Sequence, residues 1–511
     1  MSVQHRPMWL GLSLLLGLSA VLRWHGVDDT VLWFDEAYSF WFASQPLGDL
    51  WTTIPNMEPH PPLYYTMLKA WMIFGDSEAA LRSLSVLFGV ATVPVVFLFG
   101  RIIGGPWVGL NAALIFALSP LNIAFAQQAR PYAVLTFFAA TAMCGTAWLV
   151  SHPHKATVPL FSGTTFGARH RAWAALIVGT AMSLWLHNLS IFLPMTLSVI
   201  GAIFYFYGVP KRRVFAANGI LAGLFVLGLW GPFLPWLWTQ TQNVSGAFWI
   251  APLTVQDFST TVMYLFAPII TSFEATAPLF FAVFISLAAF GYRFLKRQRQ
   301  PMTAYMLAAF VILPLVFEVL VSVTFRPLLL AKSLMWTALP FYVLIAVGAL
   351  DLQKLWMRWA AVSLICLAFL SSDPKAYFGH GDEGWGVIAD LIARQATSDD
   401  AVFFVPNSVE IPFVYYFPKT LKSAPQLIPL PAPFPAVGLD NPYPAGQMGE
   451  PALTAQDVTK ALTTAKAFST IWLITRRVEF DPGDHLVMGL SRQRSSIKTW
   501  AFLGVTVYRF R

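Results

Sequence analysis

The stretch Ala79–Phe99 reads AALRSLSVLFGVATVPVVFLF, with Arg82 as its one charged residue. About 20 consecutive apolar residues cross the hydrocarbon core of a bilayer as a helix, because backbone polar groups there find no water and must bond within the segment. Working outward from it, the same pattern recurs at Met8–Leu22, Trp107–Ala126, Pro131–Val150, Trp173–His187, Ile191–Tyr207, Val214–Trp230, Pro278–Leu295, Thr303–Thr324, Leu328–Leu350 and Trp359–Leu370. The expectation is a multi-pass α-helical membrane protein of about eleven spans. Composition agrees: 57% of the 511 residues are hydrophobic and 11% charged, against roughly 25% charged in an ordinary soluble domain. Met8–Leu22 has the length of a secretory signal, but Arg23, Trp24 and His25 follow it in place of a small-residue cleavage site, so it reads as an uncleaved span.

The net charge of +8 does not point to nucleic acid, since the basic residues form short clusters beside apolar segments. Lys155, Arg169 and Arg171, then Lys211, Arg212 and Arg213, then Lys296, Arg297 and Arg299, then Lys354 and Arg358 all fall on one side of the expected topology. Positive charge marks the cytoplasmic side, which places the N-terminus inside and, with an odd span count, the C-terminal region outside. Cys144 and Cys366 are the only cysteines, too few for a disulfide framework or a thiolate metal site.

Three segments then share the outer face: loop 28–78, loop 231–277 and the region 371–511, the last following a membrane domain 1–370. In the first, Leu47–Trp51 and Leu63–Phe74 are too short to span and read as interfacial helices. In the second, Trp230, Trp236, Trp238 and Trp249 suit the headgroup level. Beyond Leu370 acidic residues become frequent, among them Asp382, Glu383 and Asp390. A helix over Trp385–Arg394 and strands at Ala401–Val405, Ile471–Thr475 and Phe502–Tyr508 predict a small α/β domain. The proline-rich stretch Leu427–Pro451 predicts a long irregular loop.

The candidate site residues lie at outer span ends. In Trp33-Phe34-Asp35-Glu36-Ala37-Tyr38, adjacent carboxylates on a helix face different ways, so one is suited to proton transfer and the other to positioning; an acidic helix cap is the plainer reading. In Glu58-Pro59-His60-Pro61-Pro62-Leu63-Tyr64-Tyr65, prolines hold His60 in a rigid frame, where a loop hydrogen bond is the plainer role. Asp35, Glu58 and His60 have the ligand types of a divalent metal ion, and spacing leaves that open. Arg130, in Gln127-Gln128-Ala129-Arg130-Pro131-Tyr132, matches phosphate with its planar fork, or snorkels to a headgroup. Arg326 ends a span and Lys332 lies within one. A charge in a span points to function, unless Glu318 pairs with Lys332 in a structural ion pair.

Together Phe34-Asp35-Glu36-Ala37-Tyr38, His60-Pro61-Pro62-Leu63-Tyr64-Tyr65, Arg82-Ser83-Leu84-Ser85 and Gln128-Ala129-Arg130-Pro131-Tyr132 resemble the polyprenyl-phosphate-dependent glycosyltransferases of the GT-C fold, which include protein O-mannosyltransferases and the aminoarabinose and galacturonic acid transferases of lipopolysaccharide. The match is concentrated in the N-terminal third. Many relatives carry an acidic residue where Gln128 stands, so a role resting on that carboxylate does not transfer. The resemblance implies a sugar donor on polyprenyl phosphate, an acceptor hydroxyl on a glycolipid, polysaccharide or protein, and inverting transfer with Asp35 as general base. Arg130, Arg326 and Lys332 would meet the lipid phosphate, while Glu36, His60, Tyr64, Gln128 and Tyr132 would line the substrate pocket. It implies no nucleotide, in keeping with the lack of a glycine-rich phosphate loop, and location in the bacterial cytoplasmic membrane.

Two readings compete. A transporter or lipid flippase also combines many spans with few buried charges, but it places its charges near the midplane within repeated halves, and no internal repeat is found here. A noncatalytic scaffold that recruits envelope partners would tolerate loss of Asp35.

Overall fold

A computed structural model describes residues 6–162, 166–244, 252–267, 277–373, 383–418, 420, 423–444, 449–495 and 497–511. Trp249 and Asp382, both singled out in the sequence, lie outside these residues. The chain folds into two compact units: Met1–Val27, Arg82–Leu234 and Ile250–Gly379 form one, and Asp28–Leu81, Pro235–Trp249 and His380–Arg511 form the other.

The first unit is helical. Among the described residues, seven helices are long and apolar enough to cross a membrane, or eight when the bent pair Pro106–Leu118 and Pro120–Ala126 counts as one span. The expected count of eleven is therefore not reached on length and composition, although a helix occupies each expected position. Met8–Trp24 and Leu355–Leu370 are apolar but short, and Ala168–Leu186 starts with Arg169, His170 and Arg171 inside the helix.

Helices here approach backbone to backbone where glycine permits it. A methyl group at Gly145 would collide with the Ala172 carbonyl, and one at Gly179 with the Phe138 carbonyl, which locks Tyr132–Ser151 against Ala168–Leu186. Gly291 and Gly348 play the same part between Ala277–Arg297 and Ala338–Asp351. Small residues at such crossings bring two helices close enough to pack without long side chains between them.

The expected span Trp107–Ala126 is present as two helices, Pro106–Leu118 and Pro120–Ala126, bent by 59°. Pro120 cannot donate to the preceding turn, and the Ser119 hydroxyl accepts the Asn122 amide at 3.4 Å to start the second helix. The carbonyls freed by the break are taken by Arg23, fully buried, whose guanidinium donates to Phe116 O at 3.2 Å and Ala117 O at 3.0 Å and lies over the Phe116 ring. Unsatisfied carbonyls at membrane depth are costly. Arg23 thus carries the bend.

The second unit holds one five-stranded sheet: β1 Ala401–Val405, β2 Gln426–Pro429, β3 Ile471–Thr475, β4 Ile497–Phe502 and β5 Val505–Phe510. Their order is β2-β1-β3-β5-β4, with β2, β1 and β3 parallel and the last two pairings antiparallel. Every residue of β1 is buried. On one face Ala401, Phe403, Ile471 and Leu473 pack with Val458, Ala461, Leu486 and Leu490 from two helices; on the other, Phe404 meets Phe413, ring centroids 5.2 Å apart.

Strands expected at Ala401–Val405 and Ile471–Thr475 and the helix at Trp385–Gln395 are present. Of the single strand expected at Phe502–Tyr508, Val505–Tyr508 lie in β5 and Phe502 ends β4, while Leu503 and Gly504 form the hairpin turn between them, where Gly504 takes φ +72°, a conformation glycine adopts without strain. The proline-rich stretch begins as β2, which lies at the sheet edge, where proline costs no ladder hydrogen bond.

Candidate functional site

In the second unit the helix Phe34–Ser44 carries both N-terminal carboxylates and separates their roles. Glu36 is fully buried and its Oε2 receives the Trp33 amide at 3.4 Å, closing the first helical turn. Asp35 is half-buried, and its carbonyl accepts the Ser39 hydroxyl at 3.0 Å.

The start of that helix is held by residues distant in sequence. Glu383 Oε2 accepts the Phe34 amide at 2.9 Å and the Trp385 indole at 2.7 Å, while Oε1 accepts Arg476 at 3.0 Å. The Arg476 guanidinium stands 4.0 Å from the Phe34 ring centroid. One turn on, the Tyr38 hydroxyl donates to Glu450 Oε1. Burial of both groups holds the Glu450 carboxyl above its usual range and the Tyr38 phenol well above its own. The Tyr416 hydroxyl accepts the Leu32 amide at 2.6 Å and donates to Glu78 at 2.9 Å.

Glu58 and His60 pair through Oε1 and Nδ1, and the Tyr65 hydroxyl donates to the same oxygen at 3.0 Å. Gln240 donates to the carbonyls of Pro55 and Glu58 at 2.7 and 2.9 Å. Tyr64 is buried beside Tyr65. His60 is thereby placed within a hydrogen-bonded loop. Among the described residues no three His, Cys, Asp or Glu side chains gather as a metal site, so the set Asp35, Glu58 and His60 does not fit one. A cleft of about 560 Å³ in the same unit is lined by Phe40, Trp41, Glu78, Glu410 and Tyr415 among others; Asp35 is not among its walls.

In the first unit two sequence motifs meet: the Ser85 hydroxyl donates to the Arg130 carbonyl at 3.2 Å. Gln127 donates to His25 O at 2.7 Å and Arg23 O at 3.3 Å, tying the 127–130 turn to the end of the first helix. Gln128, Arg130 and Tyr132 are all buried. The Lys332 ammonium lies over the Tyr132 ring, 5.6 Å from its centroid, a cation–π approach. The Gln128 amide nitrogen and the Tyr132 hydroxyl are buried with no hydrogen-bond partner among the described residues, so this cluster holds donor capacity beside a cation.

The ion pair between Glu318 and Lys332 does not form. Glu318 Oε1 instead accepts the Ser333 hydroxyl at 2.9 Å. Arg326 follows the helix Pro301–Thr324, and its half-buried side chain makes no hydrogen bond or ion pair among the described residues. The structure therefore joins Lys332 to Tyr132 and leaves Arg326 apart from that pair. Glu383, Arg476, Glu450 and Gln240 were not singled out as site residues in the sequence, and no local spacing marks them, since each acts on a segment remote in the chain.

No family model matches this chain, and no curated protein sequence does. Solved structures do. Over 98% of its length the chain is similar to ArnT from Cupriavidus metallidurans in the apo state, covering 97% of that chain with TM-score 0.63 and 14% identity. The fold is GT-C. The same ArnT bound to undecaprenyl phosphate gives TM-score 0.62 and 15% identity, with 98% of each chain covered. The apo oligosaccharyltransferase of Archaeoglobus fulgidus gives TM-score 0.53 and 14% identity over 92% of this chain and 69% of its own. A GT-C fold with apolar helices of this length makes the chain a multi-pass membrane protein.

Proposed function

We propose that this protein transfers a sugar from a polyprenyl-phosphate donor to an acceptor hydroxyl at the outer face of the bacterial cytoplasmic membrane, with inversion at the anomeric carbon. The observation that carries the reading is the likeness to ArnT along nearly the whole chain, one structure of which is bound to undecaprenyl phosphate. That likeness also favours transfer over transport. The N-terminus is cytoplasmic and the segments 28–78, 231–277 and 371–511 are extracytoplasmic in this reading.

Asp35 is the general base. It accepts the acceptor proton as the hydroxyl oxygen attacks the anomeric carbon, and the bond to the lipid phosphate breaks with its electron pair on that phosphate. The departing phosphate needs positive charge, which Arg130, Lys332 and Arg326 supply; Tyr132 and Gln128 add hydrogen-bond donors. Glu36, His60 and Tyr64 shape the sugar side, Glu36 and His60 through the helix turn and loop that they hold. General-base assistance is worth about 10²–10⁴-fold, and fixed charge at the leaving group supplies much of the rest. Lipid, glycan and protein acceptors all offer the required hydroxyl.

The test is mass spectrometry of envelope glycolipids and glycoproteins from a strain lacking the protein, complemented with the native chain or with Asp35→Asn. A sugar missing from the deletion strain and restored only by the native chain supports the reading and names sugar and acceptor. Equal restoration by both chains would remove Asp35 as base and bring transport or scaffolding forward.

A further inference from the structure

Glu318 is a fully buried carboxylate in a membrane helix, and the chemistry above does not use it. An ionisable group of that kind is retained at a cost, so its partners indicate its task. Its Oε1 accepts the Ser333 hydroxyl at 2.9 Å, and the Leu330 amide lies beside it. One helical turn further, Ser322 Oγ accepts the Leu328 amide at 2.9 Å. Residues four apart share a face of a helix. The Pro301–Thr324 helix therefore presents two acceptors, Glu318 and Ser322, to one short stretch, 328–333.

That stretch starts a 3-10 helix, Ala331–Thr337, whose own N-cap residue Leu330 offers no side-chain acceptor. The first turn of a helix is held by acceptors that its own residues do not always supply. Glu318 supplies one from a neighbouring element, through the Ser333 hydroxyl. The Ser333 hydroxyl also lies 2.7 Å from the Leu330 carbonyl, and Trp336 donates back to Ser333 O at 3.0 Å, so the turn is closed around the residue that Glu318 grips. Lys332 is the residue next to it, and its ammonium is the one over Tyr132.

We infer that Glu318 is a positioning residue, which with Ser322 clamps the 328–333 stretch so that Lys332 is presented beside Tyr132 to the donor phosphate. The inference rests on the proposed role of Lys332 and goes beyond it in assigning what sets that lysine's place. Glu318 acts by accepting hydrogen bonds, not as a counter-ion, so Gln, which retains the carbonyl acceptor, should replace it.

The experiment measures undecaprenyl phosphate binding to the purified full-length chain by native mass spectrometry, with thermal unfolding in parallel, for Lys332→Ala, Glu318→Ala, Glu318→Gln, Ser322→Ala and Ser333→Ala. Weakening of about tenfold in Lys332→Ala and Glu318→Ala, a loss worth about 1.4 kcal/mol, with near-native binding in Glu318→Gln, is the expected result. Native binding by a folded Glu318→Ala, with Lys332→Ala impaired, overturns the clamp and leaves the donor reading standing. Native binding by Lys332→Ala overturns the role of Lys332 itself. Equal loss in Glu318→Gln and Glu318→Ala would make the charge the active property and overturn positioning by hydrogen bonds. Should Glu318→Ala fail to fold, Ser322→Ala and Ser333→Ala decide: unchanged binding in both overturns the clamp, and weakened binding in either supports it. In transfer assays the same variants should raise the donor KM and leave the acceptor KM unchanged.

Discussion

Lys332 and Tyr132 meet across the helical unit, the ammonium 5.6 Å from the ring centroid, with the Tyr132 hydroxyl buried and lacking a hydrogen-bond partner among the described residues. A phenol without a partner among the described residues contributes little to their stability, yet beside a cation it is placed to donate to an anion. Tyr132→Phe should therefore leave the unfolding midpoint unchanged or slightly raised while weakening undecaprenyl phosphate binding about 2- to 10-fold, the range of one hydrogen bond of about 0.5–1.5 kcal/mol. A fall in stability with binding intact would mean that the hydroxyl serves the fold.

Asp35→Asn keeps the size and much of the hydrogen bonding of the native residue and removes its basicity. Transfer should fall about 10²–10⁴-fold, with donor binding and unfolding midpoint unaltered. Steady-state rates on the purified protein, once the acceptor is known, provide the check. Loss of folding in this variant would mark Asp35 as a helix cap.

Glu383 joins the Phe34 amide, the Trp385 indole and Arg476 while almost wholly buried. Truncation to Ala leaves a partly buried guanidinium without its carboxylate, a loss of about 3–5 kcal/mol in buried pairs. Glu383→Ala should lower the unfolding midpoint markedly and reduce transfer indirectly, through the helix that bears Asp35. Glu383→Gln should fall between it and the native chain; an unchanged midpoint in Glu383→Ala would exclude this hub.

The Tyr38–Glu450 pair predicts a pH dependence. Burial raises the Glu450 carboxyl above its ordinary value of 4.5, against the lowering effect of Ser408, Tyr38 and Arg476. The folded state then holds a proton that the unfolded chain releases, so this group's contribution is fully present below pH 4.5 and is lost as pH rises through the folded value. Glu450→Gln keeps an acceptor for Tyr38 and abolishes the titration. Its unfolding midpoint should match the native one near pH 4 and exceed it at pH 8; parallel curves from pH 4 to 8 would contradict the assignment.

Arg23 satisfies two carbonyls at the bend between Leu118 and Pro120. Arg23→Met leaves the Ala117 carbonyl without its donor and the Phe116 carbonyl with only the Ser119 amide at 3.3 Å, a cost of about 1–3 kcal/mol for the carbonyl left unsatisfied, and should reduce the fraction extracted as monodisperse protein. Arg23→Lys should restore little, because one ammonium does not reproduce the planar fork. Size-exclusion profiles from matched expressions would show either outcome.

The amino-acid sequence by itself determined the membrane class, the position of each long apolar helix, the α/β character of the C-terminal region and the strands Ala401–Val405 and Ile471–Thr475, because each rests on local apolar length or periodicity. It also singled out Asp35, Arg130 and Lys332, since charges at span ends among apolar neighbours stand out in any reading. What it did not contain was long-range partnership. The bend in Trp107–Ala126 depends on an arginine from another helix. The hairpin turn at Gly504 interrupts an apolar run that periodicity reads as one strand. Glu318 faces Ser333 in place of Lys332, and Glu383 reaches Phe34 from the far end of the chain. Local propensity acts over a few residues, whereas buried polar groups must find partners wherever the packed chain brings them, and only the tertiary structure decided those pairings.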